Sequence, residues 1–260
     1  SMAERSPGDA DVLLRAWEAW GPACLERLDG AWAIAVWDRA EEALYLARDA
    51  LGLRPLYYHV SGARCGVASL SDRLALLPWV SKELSRDNLC EHLAFRYVHA
   101  PRCLLKDVQA LPPGCLLRFD RRGTSLQQHS RLSYGGATSP APGGEEGVRE
   151  LDRLLRRAVT RRGRTGGPVG VLLSGGTDST VLAMDAMQAG LDVRAFHLRF
   201  PETGVDEAAF AGRVARVLNI PLQEVELDAS GFDEALERCT RAMGNPLPDP
   251  AAVGEYVLLR

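Results

Sequence analysis

The chain has 260 residues, 46% hydrophobic and 25% charged, a balance that supports a packed core and excludes disordered, collagen-like and coiled-coil readings. A formal net charge of -3, from 31 basic and 34 acidic side chains, provides no general attraction to nucleic acid or anionic lipid, so neither is expected as a partner and a small ligand is. The length suits two domains, no run of about 18 apolar residues would span a bilayer, and six cysteines without a C-x-x-C pair read as reduced thiols of a cytoplasmic protein.

The opening Ser1-Met2-Ala3-Glu4-Arg5 lacks the apolar stretch of a secretory signal, and Ser1 before Met2 reads as a cloning remnant. From Asp11 to Trp20 the apolar residues Val12, Leu13, Ala16, Trp17 and Trp20 recur at helical period, with Asp9 or Asp11 placed to cap the helix. After Gly30, the runs AWAIAVWD, ALYLARD, PLYYHV and CGVASL predict an antiparallel β region. Trp17, Trp20, Trp32 and Trp37 are expected to pack between that helix and the sheet.

Between Leu126 and Gly147 the sequence turns to Gly, Ser, Pro, Ala and Thr, which reads as an interdomain linker. The expected division is therefore a domain over 1–126, a linker over 127–147 and a domain over 148–260. A helix follows with Val148, Leu151, Leu155 and Val159 on one face. Its acidic start (Glu145, Glu146) and basic end (Arg156, Arg157, Arg161, Arg162) complement the macrodipole, and the arginines read as a solvated face. Beyond Pro168 strands and helices alternate: VGVLL, a helix over 177–190, VRAFHLRF, a helix over 207–218, LQEVEL and a helix over 232–243. That alternation predicts a parallel sheet clad by helices, with ligands at the carboxyl ends of the strands, near Ser174, Phe200 and Asp228.

At the first of those ends stands Ser174-Gly175-Gly176-Thr177-Asp178-Ser179-Thr180. Adjacent glycines allow a sharp turn and close approach of backbone N–H groups, and the following helix N-terminus adds free donors, so phosphate is the expected guest. Ser174, Ser179 and Thr180 add hydroxyls, and Asp178 offers a hard oxygen ligand for Mg²⁺. The string is neither a Walker A loop nor a G-x-G-x-x-G fingerprint. The five histidines, at 59, 92, 99, 129 and 197, show no zinc-binding spacing, and His197, inside a predicted strand, is expected to be a buried, satisfied side chain rather than a base.

The Ser174–Thr180 string resembles the PP-loop of the ATP pyrophosphatase superfamily. Leu28-Asp29-Gly30-Ala31-Trp32 through Asp38, Ala47-Arg48-Asp49 through Tyr58, Leu111-Pro112-Pro113-Gly114 and Asp249-Pro250 extend the resemblance to asparagine synthetases across residues 8 to 260. The resemblance implies an α/β chain. Its N-terminal part would be an α+β amidotransferase-like (Ntn-type) domain with antiparallel sheet, and its C-terminal part a parallel-sheet adenine nucleotide α-hydrolase-like (PP-loop) domain. It implies ATP and Mg²⁺, with Leu172 and Leu198 lining an adenine pocket, Ser174, Gly175, Gly176, Ser179 and Thr180 at the phosphates, and Asp178 on the metal. Arg48 would stand where the family holds the carboxylate of glutamine and Asp9 near where it holds the amino group. The other reading of Arg48-Asp49 is a structural pair beside a turn.

Ser1-Met2 does not match the family's Met-Cys start, so glutamine hydrolysis by this chain is not expected, and the chain reads as a fragment or split piece whose remainder lies elsewhere. A homodimer partner or that remainder is the expected protein partner. The implied activity is adenylation of a small-molecule or peptide carboxylate with release of pyrophosphate, followed by attack of an amine. The preferred branch is a lasso-peptide cyclase or β-lactam synthetase type. A truncated glutamine-hydrolysing asparagine synthetase, an ATP-binding scaffold without catalysis and, less favoured, a tRNA-modifying PP-loop enzyme are the alternatives.

Overall fold

The computed structural model describes residues 8–132, 143–163, 166–201, 207–247 and 249–260. They divide into two compact units, 1–134 with 243–246 and 135–242 with 247–260.

The first unit begins with helix α1 (Asp9–Trp20) and a 3-10 turn over Gly21–Arg27. Gly8, not Asp9, is the N-cap, and its N–H donates to Asp11 Oδ2 at 3.1 Å; Asp9 is the exposed first residue of the helix. Strands β1 (Ala33–Asp38), β2 (Ala43–Arg48), β3 (Tyr57–Ser61) and β4 (Arg64–Ala68) follow. The short helix α2 (Ser71–Leu74), helix α3 (Arg86–Phe95), β5 (Gln109–Ala110), β6 (Cys115–Asp120) and β7 (Gly123–Gln128) complete the series. The strands form two antiparallel sheets, β1-β2-β6-β7 and β4-β3-β5.

The period of two sorts their side chains into layers. Tyr45 and Leu116 face α1, where they pack with Trp17, Leu25 and Val36. Leu46 and Leu117 face the second sheet and meet Leu56, Tyr58 and Leu111. Behind the second sheet, Tyr57 and Ala68 pack on Leu74, Val80, Cys103 and Val108. Helix, sheet, sheet and helix-bearing loop thus stack in sequence, the α+β architecture expected of this part.

Trp17 and Trp32 pack in the core between helix and sheet as expected, whereas Trp20 and Trp37 depart from expectation. Trp17 is buried and donates to Asp38 Oδ2 at 3.2 Å, but Trp20 is 49% exposed under the Arg27 guanidinium, and Trp37 is 57% exposed. Trp37 points away from the Val36 face on an edge strand, which leaves it beside the solvent. Strand β7 pairs with β6 as far as Gln128 opposite Cys115, so regular structure runs into the stretch that composition alone reads as linker. Much of that stretch, 133–142, lies outside the described residues.

In the second unit α4 (Gly144–Gly163) precedes β8 (Val169–Leu172), α5 (Thr177–Gln188), β9 (Val193–Arg199), α6 (Glu207–Leu218), β10 (Leu222–Glu226), α7 (Ala229–Met243) and α8 (Ala251–Leu258). The sheet is parallel throughout, in the order β10-β9-β8. On one face Leu173 and Ala195 pack with Ala183 of α5 and with Ala211 and Ala215 of α6. On the other, Leu198 joins Leu227, Ala235 of α7 and Val253 of α8. Helix α4 keeps Leu155 and Val159 half-buried but leaves Val148 and Leu151 exposed, so its apolar face is covered over its second half only. There Gly163 lies against Leu191, closely enough that a Cβ would come within 2.2 Å of Leu191 Cδ1.

Candidate functional site

The site is built where β8 leaves the sheet. Gly175 adopts φ +81°, and a Cβ there would lie 2.6 Å from Phe210 Cβ and 2.7 Å from the Ala211 nitrogen. Only glycine satisfies both the left-handed backbone and that close approach of α6. Gly176 then takes an extended conformation as the N-cap of α5.

The loop is cross-linked by its own hydroxyls. Ser174 Oγ lies 3.1 Å from Ser179 Oγ and accepts from the Gly176 N–H at 3.3 Å. The Ser174 N–H donates to Ser179 Oγ at 3.3 Å, and Thr180 Oγ1 donates to the Gly176 carbonyl at 2.7 Å. The N–H groups of Thr177, Asp178 and Ser179 open the helix, where no intrahelical acceptor exists, and they carry the positive end of its dipole. Ser174, Gly176, Thr177 and Asp178 are all exposed. The arrangement is a shallow cradle of donors with one carboxylate at its rim.

The sheet brings the two predicted leucines together in direction. Leu172 pairs with Phe196 and Leu198 lies two residues further along β9, so both project from the same face near the carboxyl ends of adjacent strands. Leu172 is 41% exposed while Leu198 is half-buried beneath α8, where Gly254 leaves room for its Cδ2. Phe200 is also exposed beyond β9. Asp228, at the end of β10, has a local role: its Oδ1 accepts from the Gly231 N–H at 2.7 Å and the Ser230 hydroxyl at 3.0 Å. Those bonds, the Gly231 amide first, hold its carboxyl below the ordinary carboxylate range.

In the first unit Arg48 ends β2 with its guanidinium on three backbone carbonyls: Nε donates to Arg54 at 2.8 Å, Nη2 to Gly52 at 2.5 Å and Nη1 to Leu111. Burial lowers its pKa, against the opposing pull of Tyr57 and Asp49. Asp49 is buried and accepts from the N–H groups of Trp32 at 3.1 Å, Leu51 at 3.0 Å and Leu53 at 3.0 Å. Burial raises its pKa, but the backbone donors of Leu53, Trp32, Leu51 and Arg54 outweigh that and hold it below the ordinary range. The two neighbours therefore fasten one turn from opposite sides through the backbone rather than through each other. The structural role of the pair agrees with one of the two roles expected of it, while its carbonyl partners are not legible in sequence spacing because they lie as far off as Leu111.

Residues 2–130 match the glutamine amidotransferase domain model, and residues 150–260 match the asparagine synthase model. A putative glutamine-hydrolysing asparagine synthetase of Mycobacterium tuberculosis is 28% identical over 97% of this chain and 40% of its own length. Asparagine synthetase 1 of Bacillus subtilis, also named glutamine-hydrolysing, is 25% identical over 97% of this chain and 39% of its own. The amidase chyE of Penicillium rubens is 27% identical over 96% and 39%. The chain thus spans about 40% of the length of these curated relatives. Among the described residues no helix is long and apolar enough to cross a membrane.

Proposed function

Because the chain belongs to the asparagine synthetase family, through domain matches at 2–130 and 150–260, we propose that it provides the ATP-binding part of an ATP-dependent amide ligase. The observation that carries this is the donor cradle at Ser174–Thr180, at the carboxyl end of a parallel strand and the N-terminus of α5. ATP enters as substrate, its polyphosphate on the loop amides and hydroxyls and its adenine against Leu172 and Leu198. A carboxylate oxygen of the acceptor attacks the α-phosphorus, pyrophosphate leaves, and an amine then displaces AMP. The loop's part is to bind and orient the departing pyrophosphate; no side chain in it has to act as a nucleophile.

Mg²⁺ suits this site as an ion shared with the phosphates. Asp178 is the loop's only carboxylate, and among the described residues no group of three or more His, Cys, Asp or Glu side chains could hold a metal alone. When bound, the metal would neutralise charge developing on the leaving pyrophosphate.

The nitrogen donor we propose is glutamine, following the relatives named glutamine-hydrolysing. One observation favours a second reading, ring closure on an amine already in the substrate, as in lasso-peptide cyclases and β-lactam synthetases: Arg48 has all three guanidinium nitrogens on backbone carbonyls. The compartment we propose is cytoplasmic, in keeping with six free cysteines. Exchange of labelled pyrophosphate into ATP tests these readings, run with aspartate, a carboxyethyl-arginine-like substrate and a precursor peptide. Aspartate-dependent exchange supports the asparagine synthetase reading, exchange with either of the other two supports ring closure, and no exchange with any contradicts both.

A further inference from the structure

His197 is buried, at 4% exposure, and lies outside the donor cradle. Its Nδ1 is 2.8 Å from the carbonyl oxygen of Leu173. The β8–β9 ladder ends at the pair Leu172 and Phe196, after which the Leu173 N–H still donates to the Phe196 carbonyl at 2.8 Å. The Leu173 carbonyl lies just beyond that last backbone bond, at the point where the chain turns into the loop, and the imidazole of His197 on β9 takes it. A carbonyl only accepts, so Nδ1 carries the proton.

The bonded carbonyl belongs to the peptide that joins Leu173 to Ser174. The other end of that planar unit, the Ser174 N–H, donates to Ser179 Oγ at 3.3 Å. One peptide plane is thus held from both edges, by the imidazole of β9 and by a hydroxyl of α5. Its orientation directs the backbone of Ser174 and Gly175, and Gly175 in turn has no slack against Phe210 and Ala211.

We propose that His197 is a positioning residue for the phosphate loop: its Nδ1–H fixes the Leu173–Ser174 peptide plane and so the approach of the loop donors to a polyphosphate. The inference rests on the ATP reading of the loop for its ligand, but not for the hydrogen bond itself. The test compares the 260-residue chain with His197→Phe, which keeps an aromatic ring without the donor, and His197→Asn, whose amide can donate from near the Nδ1 position. Hydrogen exchange is followed over 174–179 and over α7, and Mg²⁺–ATP affinity is measured by calorimetry. Nitrogen NMR of labelled histidine in the unsubstituted chain reports the tautomer.

The expected result is an Nδ1-protonated ring and, in His197→Phe, loop exchange about tenfold faster with α7 unchanged and ATP bound about tenfold more weakly, the scale of losing a partner for a buried carbonyl. His197→Asn should remain within about threefold of the parent on the same basis. An Nε2-protonated ring overturns the proposal even if His197→Phe fails to fold. So does loop exchange in His197→Phe equal to the parent, or exchange that rises equally in α7, or an Asn variant no better than Phe. If the parent binds no ATP, the ligand reading fails by itself, and the tautomer and exchange comparisons still decide the role of His197.

Discussion

Gly175 and Gly176 stand side by side, yet they tolerate a methyl group very differently. A Cβ on Gly176 would meet nothing closer than Ser174 Oγ at 3.3 Å, whereas one on Gly175 would meet the α6 backbone at φ +81°. Gly175→Ala should therefore cost about 2 kcal/mol of stability from backbone strain and displaced packing and should weaken ATP binding severely. Gly176→Ala should cost less than about 1 kcal/mol. Urea unfolding of the two variants checks the contrast, which equal losses would refute.

Asp49 makes the stability of the fold depend on pH. Its carboxyl is held below the ordinary value by backbone N–H groups, so the folded state binds its proton less readily than the unfolded chain. The stability it contributes is present above the unfolded value, about 4, and is lost as pH falls through the folded value below it. Asp49→Asn should be less stable than the parent at pH 7 and should lose less on acidification below about pH 4. Denaturant midpoints measured between neutral and acid pH will show whether the two curves converge as required. The glycine pair could be read from the sequence because only turns and close approaches favour adjacent glycines. The bonds from Arg48 to Leu111 and from His197 to Leu173 could not, since each joins residues that only the folded sheets bring together.

Among the elements, those that repeat a simple period were the most legible. The strand and helix alternation after Pro168 reappears as β8 to α7 with ends shifted by a few residues, and the parallel order follows from it. The N-terminal runs announced antiparallel strands but not their partition into two sheets, because the pairing of β2 with β6 spans some seventy residues of intervening chain. The exposure of Trp37 has a related cause: residue type suggests burial, while its position on an edge strand decides against it. Helix α4 shows that an apolar stripe need not be buried along its length. Leu151→Ala, at a side chain 57% exposed, should change stability by less than about 1 kcal/mol. Leu173→Ala, at 1% exposure within the α5–α6 layer, should cost about 3 kcal/mol. Thermal unfolding of the second unit's signal distinguishes these, and similar losses at both positions would contradict the assigned packing.

At the scale of the whole molecule, the sequence motifs reach both units, and the two domain matches meet the same regions. The near-neutral balance of 31 basic and 34 acidic side chains agrees with a small anionic ligand held by oriented backbone dipoles rather than by a basic surface. The chain spans about 40% of the length of its curated relatives, and nucleotide binding at Ser174–Thr180 is the proposal that rests on its own residues. The direct measurement is calorimetric titration of the 260-residue chain with ATP and Mg²⁺, with and without pyrophosphate. Saturable binding that pyrophosphate competes away, and that Gly175→Ala abolishes, is the predicted result. Failure to bind ATP, or binding indifferent to both pyrophosphate and Gly175→Ala, would contradict the assignment of Ser174–Thr180 as the phosphate loop.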